Sequence, residues 1–356
     1  MSTLKVTVEQ LTVHEHPHAD ALELAQVGLY RAVVAKGAYA TGDFALYIPE
    51  QAVLPADLIA ELGLTGRLSG SGADRVKAVR LRGELSQGLV CRPRALAGVD
   101  LARAAEEGTD FAERLGITKW VPPIPTSMSG DVEAAPDLLP WVDVENIQRY
   151  PDLFEPGEQV VLTEKLHGTA CLLTYLAAED RVLVSSKGCG SKSLALTEDD
   201  RNLYWRAVRG HRVAEAAAKL AARLGATRVG IFAEVYGAGV QDLAYGTDAR
   251  TSGPGYAVFD VSAEIDGQVR WLDAAELLSD GALPLVPRLY EGPYDLDTVL
   301  ELATGRETVS GRQAHLREGV VIRPAAERYS PVVGGRAIAK AVSPAYLTRK
   351  GGTEFE

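Results

Sequence analysis

Cysteine is scarce in this chain: three in 356 residues, Cys91, Cys171 and Cys189. That number, irregularly spaced, excludes a disulfide framework and a four-cysteine zinc site, so all three read as reduced, small apolar residues. Long hydrophobic runs are also missing. No stretch approaches the roughly 18 consecutive apolar residues that a spanning helix requires. The opening MSTLKVTVEQ lacks a basic segment followed by a long apolar run. The expectation is a soluble, cytoplasmic protein with no membrane partner. An excess of positive charge is absent too: 37 Lys and Arg stand against 48 Asp and Glu, a net charge of −11. This argues against holding nucleic acid by bulk charge, while leaving a local basic groove open. Finally, no GxxxxGK[ST] phosphate loop occurs, and GCGSKS lacks the third glycine of a dinucleotide-binding GxGxxG.

What is present is ordinary globular composition, 46% hydrophobic and 24% charged, in a chain long enough for two cores. The charge is uneven. Residues 100–160 carry a net −9, whereas residues 181–230 carry ten Lys or Arg against four acids, a net +6. The second stretch is either an anion-facing surface or a helix whose cations face water. The first ~95 residues alternate apolar and polar positions in short runs broken by Pro, Gly and Asp, without long helices between them. This pattern fits a five-stranded OB-like β-barrel, an architecture that closes its own edges and commonly binds single strands of nucleic acid. Arg75, Lys77, Arg80 and Arg82 fall on or beside its last strands, as phosphate contacts or as solvated strand faces. The expected organisation is an OB-like module with a short helical extension over 1–119, a Pro-rich linker over 120–140, and a second domain over 141–356. Within the second domain, strands alternate with a long helical region near 198–224.

EKLHGTA, residues 164–170, directly follows the apolar run VVL. A strand-end lysine followed by a glycine turn lets Lys165 face a cleft while Gly168 allows backbone to approach a ligand closely. Its amine is a nucleophile only when neutral, which requires burial or neighbouring cations to lower its pKa from about 10.4. Alone, a KxHG is more often a surface lysine before a turn. Downstream, FAEVYG puts Glu234 in a strand two residues before an aromatic. In YAVFDV, strict alternation puts Tyr256, Val258 and Asp260 on one face and Ala257, Phe259 and Val261 on the other. EGVVIRP starts with Glu318, and AIAKAVSPAYL carries Lys340 inside an apolar strand. Two lysines, two carboxylates and an aromatic ring on one cleft suit a nucleoside triphosphate and a divalent metal.

Taken in order, EKLHGT, FAEVYG, YAVFDV, EGVVIRP and AKAVSPAYL resemble motifs I, III, IIIa, IV and V of the covalent nucleotidyltransferases, the ATP-dependent RNA and DNA ligases and mRNA capping enzymes. His167 in KxHG and the run YGAGVQDLAYG are closer to RNA ligases. VENIQRYPDLF, NLYWRA and the amino-terminal HPHADALELAQVG…GDFALYIPE resemble the two-domain, nick-sealing RNA ligases of the Deinococcus type, over nearly the whole chain. The resemblance implies an α+β chain in which an OB-like barrel precedes a nucleotidyltransferase (ATP-grasp-like ligase) domain of antiparallel sheets with flanking helices. It implies an ATP-dependent, Mg- or Mn-requiring enzyme that joins RNA 3′-hydroxyl and 5′-phosphate ends, in a nicked duplex or RNA–DNA hybrid, through a lysyl–AMP on Lys165. It assigns catalytic roles to Lys165, Glu318 and Lys340, nucleotide contacts to Glu164, His167, Gly168, Lys187, Glu234, Phe259 and Lys340, and metal binding to Glu234 and Glu318. Lys187, in SSKG, takes a position where many relatives have an arginine. Motif V commonly reads KxKS, whereas here Val342 stands at the second lysine. The alternatives are a DNA ligase or capping-type relative, or a non-catalytic RNA-binding protein. His14, His16 and His18 sit at a turn, Trp120, Trp141 and Trp205 read as packing residues, and Asn202 as a site candidate.

Overall fold

The computed structural model describes residues 4–121, 130–248 and 251–349. Their contacts separate into two units, one formed by 4–121 with 347–349 and the other by 130–346. In the first unit the alternating runs become strands β1 (Thr7–Gln10), β2 (Thr12–Glu15), β3 (Leu22–Val27), β4 (Tyr30–Ala35), β5 (Phe44–Ile48) and β6 (Leu89–Cys91). They form two antiparallel sheets, in the orders β1-β5-β6 and β2-β3-β4. Val8, Leu46 and Ile48 supply one core, which Phe111 and Ile117 of the helical extension complete.

The basic residues of this unit are not equivalent. Arg75 is 1% exposed and its guanidinium lies 4.0 Å from the Trp120 ring centre, so it is a packing residue and the expectation of a phosphate contact fails there. Arg80 and Arg82 stay exposed on the hairpin of Val79–Leu81 and Glu84–Ser86. The three alternating histidines take separate partners: His14 bonds Gln26, and His16 bonds the Leu81 carbonyl while accepting the His18 amide.

The second unit holds two five-stranded sheets. One contains β7 (Glu145–Asn146), β8 (Gln159–Lys165), β14 (Arg288–Pro293), β15 (Gly319–Pro324) and β16 (Ala339–Val342), in the order β7-β16-β15-β8-β14. The other contains β9 (Thr169–Leu176), β10 (Arg181–Ser186), β11 (Arg228–Tyr236), β12 (Gly255–Ile265) and β13 (Gln268–Leu272), in the order β10-β9-β11-β12-β13. All pairings are antiparallel except β7 with β16. β8 shows the rule that builds the site. Val160 and Leu162 pack against Val299 and Ala303 of a helix over Leu296–Ala303, so Val161, Thr163 and Lys165 lie on the opposite face.

Several expectations change here. The long helical region is two helices, α1 (Leu203–Gly210) and α2 (Val213–Leu224), parted where Arg212 takes a left-handed φ of 56°. Asn202 is the N-cap of α1, its side-chain oxygen accepting the Tyr204 and Trp205 amides, and so it shapes a helix end. Of the segment read as linker, Val132–Ala134 pairs with Leu194–Leu196 and Leu139 is 1% exposed, which makes 130–140 part of the second unit; 122–129 lie outside the described residues. A β-bulge interrupts β12. Phe232 pairs with Asp260 and Ala233 with Val258, so Phe259 is an extra residue. Tyr256 and Val258 before the bulge and Val261 and Ala263 after it all enter the core under α1 and α2. Asp260 therefore leaves the face of Val258 that strict alternation gave it. No helix among the described residues is long and apolar enough to cross a membrane.

Candidate active site

Lys165, the last residue of β8, pairs with Gly319, the first residue of β15, and Gly319 in turn pairs with Val342 of β16. A Cβ on Gly319 would lie 2.1 Å from the Ala341 carbonyl oxygen, so only glycine lets these three strands close up. Glu318, one residue earlier, then reaches Lys165 with Nζ to Oε1 at 2.5 Å. The Lys165 side chain keeps 27% exposure and Glu318 12%. Lys340 lies on β16 opposite Val321. Glu234 comes from the other sheet, on β11 opposite Ala170 and Ala257. The turn between β8 and β9 carries Gly168, whose added Cβ would sit 2.2 Å from the Val235 carbonyl oxygen and 3.0 Å from Glu234 Cγ.

The electrostatics follow from this crowding. Burial alone would lower the Lys165 pKa, but the Glu318 and Glu234 carboxylates outweigh it and hold the ammonium above its ordinary value. This reverses the expectation that burial readies the amine: the group is a protonated, ion-paired lysine here. Burial pushes Glu234 up to about 8, against the pull of Lys165 and a Gly168 backbone hydrogen bond, with Glu318 adding to the rise. Lys340 moves down to about 8, through burial and then the Lys165 and Lys187 charges. Lys187 opens the short helix Lys187–Gly190 and pairs with Asp143, which is 9% exposed. Burial would raise the Asp143 carboxyl, yet the neighbouring Lys187 ammonium holds it well below the carboxylate range. The amines of Lys165, Lys340 and Lys187 and the carboxyl groups of Glu318, Glu234 and Asp143 thus act on one another at a single half-buried locus, of which Lys187 is the most exposed member.

Phe259, displaced by the bulge, lies edge-on to Trp141 at 6.4 Å and lines a cavity of about 340 Å³ with Val161, Thr163, Val286 and Arg323. Val161 and Thr163 are on the same face of β8 as Lys165, so the cavity lies on that face of the strand. Asp260 bonds Arg336 at 2.5 Å and Arg323 at 3.4 Å beside it. The flat face of Phe259 and the small side chains near it suit a planar ring.

Two residues expected to contact the nucleotide, Glu164 and His167, have side-chain partners within the chain. The Glu164 side chain has 0% exposure and lies on the face of β8 opposite Lys165, accepting the Thr308 amide at 2.9 Å and the Thr308 hydroxyl at 2.5 Å. Alternation within one strand decides this, because residue 164 must point away if residue 165 points in. His167 is 5% exposed, with Nε2 at 2.6 Å from Asp242 and Nδ1 at 2.7 Å from the Tyr346 hydroxyl. The basic stretch 181–230 is largely satisfied within the chain. Arg201 pairs with Asp199, Arg209 with Glu198 and Asp200, Arg212 with Glu215, and Arg228 with Glu264. Asp143, Asp242, Tyr245 and Tyr346 were not singled out from the sequence. Asp242 and Tyr245 lie within YGAGVQDLAYG and Tyr346 within AKAVSPAYL, but no spacing shows that they meet His167.

A sequence model of the family described as RNA ligase matches residues 158–342, just over half of the chain, and an OB-fold domain model matches residues 5–93. Among solved structures, Naegleria gruberi RNA ligase with PPi is 25% identical, with a TM-score of 0.75 over 97% of this chain and 98% of that one. A variant of the same ligase with AMP and Mn is 25% identical, with a TM-score of 0.76 over 97% and 98%. Another variant, with ATP and Mn, is 25% identical, with a TM-score of 0.73 over 98% of each chain. No curated protein matches the chain.

Proposed function

The chain belongs to the RNA ligase family and is an ATP-dependent RNA ligase, and we propose that it seals 3′-hydroxyl to 5′-phosphate breaks through a lysyl–AMP on Lys165. On this reading it is a two-domain, nick-sealing ligase of the Deinococcus type, acting on nicked duplexes or RNA–DNA hybrids. The observation that carries the reading is the convergence of Lys165, Glu318, Glu234, Lys340 and Lys187, drawn from both sheets and a short helix, with a Phe259-lined cavity on the same face of β8 as Lys165.

In the first step Lys165 Nζ, having lost one proton to become the free amine, attacks the α-phosphorus of ATP: a P–N bond forms, the bond to pyrophosphate breaks, and a second proton leaves the nitrogen as pyrophosphate departs. An oxygen of the RNA 5′-phosphate then attacks the same phosphorus and breaks the P–N bond. The 3′-hydroxyl finally attacks the activated 5′-phosphorus and frees AMP. Each step is a displacement at phosphorus, so positioning and charge neutralisation supply most of the catalysis.

The residues fit this work. Lys340, with its pKa near 8, and Lys187 sit where they can neutralise phosphate oxygens. Phe259 stacks on the base. Glu234 and Glu318 are the carboxylates that would hold a divalent cation, since such ions commonly take one or two protein carboxylates with phosphate and water completing the shell. When bound, that ion neutralises phosphate charge. Anything that engages Glu318 also loosens the strongest hold on the Lys165 proton.

The test is incubation with α-labelled ATP and Mg or Mn without polynucleotide. Wild type is expected to yield a labelled protein band and Lys165→Ala none. No label on wild type anywhere between about pH 6 and 9 would overturn the assignment. Duplexes nicked with RNA or DNA on the 3′-hydroxyl side then define the acceptor.

A further inference from the structure

The turn that presents Lys165 is held from three directions by side chains that lie outside it. His167 is at its centre. Its ring is 5% exposed. Nε2 lies 2.6 Å from Asp242 Oδ1 and Nδ1 2.7 Å from the hydroxyl of Tyr346, which is itself 4% exposed. One neutral tautomer satisfies both contacts: Nε2–H donates to the carboxylate, and the Tyr346 hydroxyl donates to bare Nδ1. The two rings meet edge to face at 5.4 Å. The His167 amide donates to the Tyr245 hydroxyl at 2.6 Å, and Gln241 Nε2 donates to the Gly168 carbonyl. Tyr245 in turn packs edge-on against His315, centres 4.4 Å apart. The segment after β11 thus braces the turn along its backbone and through the ring of His167, and the helix Pro344–Leu347 after β16 braces the same ring from the other side.

We propose that Tyr346, His167 and Asp242 form a positioning relay, buried at its tyrosine and histidine and open at Asp242, that fixes the turn 165–168, so that the Lys165 amine and the Gly168 contact on Glu234 are set before a nucleotide arrives. His167 is then a positioning residue and not a nucleotide ligand. The relay also explains why a histidine suits this position. A single flat ring with an acceptor on one edge and a donor on the other spans two groups on different segments. A shorter carboxylate could not donate to Asp242 and would face it with like charge. Because Lys165 sits two residues from the ring, loosening the relay misplaces the attacking nitrogen while the cavity beside Phe259 keeps its walls. Misplacement of about an ångström costs up to roughly a hundredfold in such steps.

The inference rests on Lys165 being the nucleophile, and the experiment separates the two ideas. Single-turnover self-adenylylation is measured against ATP concentration for wild type, Lys165→Ala, Tyr346→Phe, Asp242→Asn and the Tyr346→Phe/Asp242→Asn double variant, alongside thermal unfolding. Tyr346→Phe removes one oxygen and keeps the ring packing, so it spares the fold where His167→Ala would open a cavity. The expected result is a maximal rate lowered about tenfold or more in each single variant, with half-saturation by ATP within about threefold of wild type. The double variant should be little slower than the slower single, since both act through one ring. Maximal rates within twofold of wild type would overturn the relay. A raised half-saturation with the maximal rate retained would overturn it too, by making His167 a nucleotide contact. Loss of melting temperature in Tyr346→Phe that accounts for the whole loss of rate would assign the contacts to folding alone and likewise refute it. Label on Lys165→Ala equal to wild type would instead sink the nucleophile assignment beneath it.

Discussion

The charge crowding at Lys165 makes a prediction about stability with a definite sign. Glu234 keeps its proton in the folded chain up to about pH 8, whereas the unfolded chain releases it near 4.5. Between those values the folded state binds more protons, so stability falls as pH rises, with a limiting slope of about 1.4 kcal/mol per pH unit. Taken over the whole window this gives roughly 5 kcal/mol. Because Glu234, Glu318 and Lys165 share charge, about 2–3 kcal/mol is the realistic expectation, or several degrees of melting temperature in a chain of this size. Lys340 acts with the opposite sign. It is released near pH 8 when folded and near 10.5 when unfolded, so its contribution grows as pH rises across that window. Without nucleotide or metal, the wild-type profile should therefore dip near pH 8. Thermal unfolding followed by circular dichroism from pH 5 to 10 measures it. Glu234→Gln, which has no proton to lose, should lack the decline from pH 5 to 8, and Lys340→Met should lack the recovery above 8. If wild type and Glu234→Gln run parallel from pH 5 to 8, Glu234 titrates normally and the charge cluster described above is wrong.

Two further substitutions separate site from scaffold. Phe259→Ala should raise half-saturation by ATP about tenfold or more, the worth of a base–aromatic stack, with little loss of melting temperature; equal losses in both would make the ring a core residue. Asn202→Ala should cost about 1 kcal/mol through the lost cap of α1 and leave the adenylylation rate within twofold, and a large loss of rate at full stability would return Asn202 to the site.

The motifs were legible because each couples a short apolar strand to a polar residue or glycine whose presence there has few structural justifications. EKLHG, EGVVIRP and AIAKAV announced Lys165, Glu318 and Lys340 in this way, and the ladder pairs Lys165 with Gly319, next to Glu318, and Gly319 with the motif V strand of Lys340. The failures share one cause. Alternation was extended across YAVFDV, but the bulge at Phe259 reset it, and no residue type in that run marks an inserted position. The resemblance implied a nucleotide contact for Glu164 without regard to its face, and a strand sends it to the face opposite Lys165. Arg75 and the basic stretch were read as available charge, because a sequence shows where cations are and not which carboxylate or ring has taken them.

By itself the sequence determined the chemistry available: an α+β chain, an amino-terminal barrel-like module, and an ordered set of lysines, carboxylates and one aromatic at strand ends. Those are local properties, written in spacing of two or three residues. Tertiary structure alone decided the protonation and the geometry. Glu234 and Glu318 are 84 positions apart, and Asp242 and Tyr346 lie far along the chain from His167, yet the fold brings the first pair to Lys165 and the second pair to His167, two residues away. There, low polarity and unlike charges a few ångströms apart fix which groups hold protons, and no pattern along the chain encodes that sum of distances.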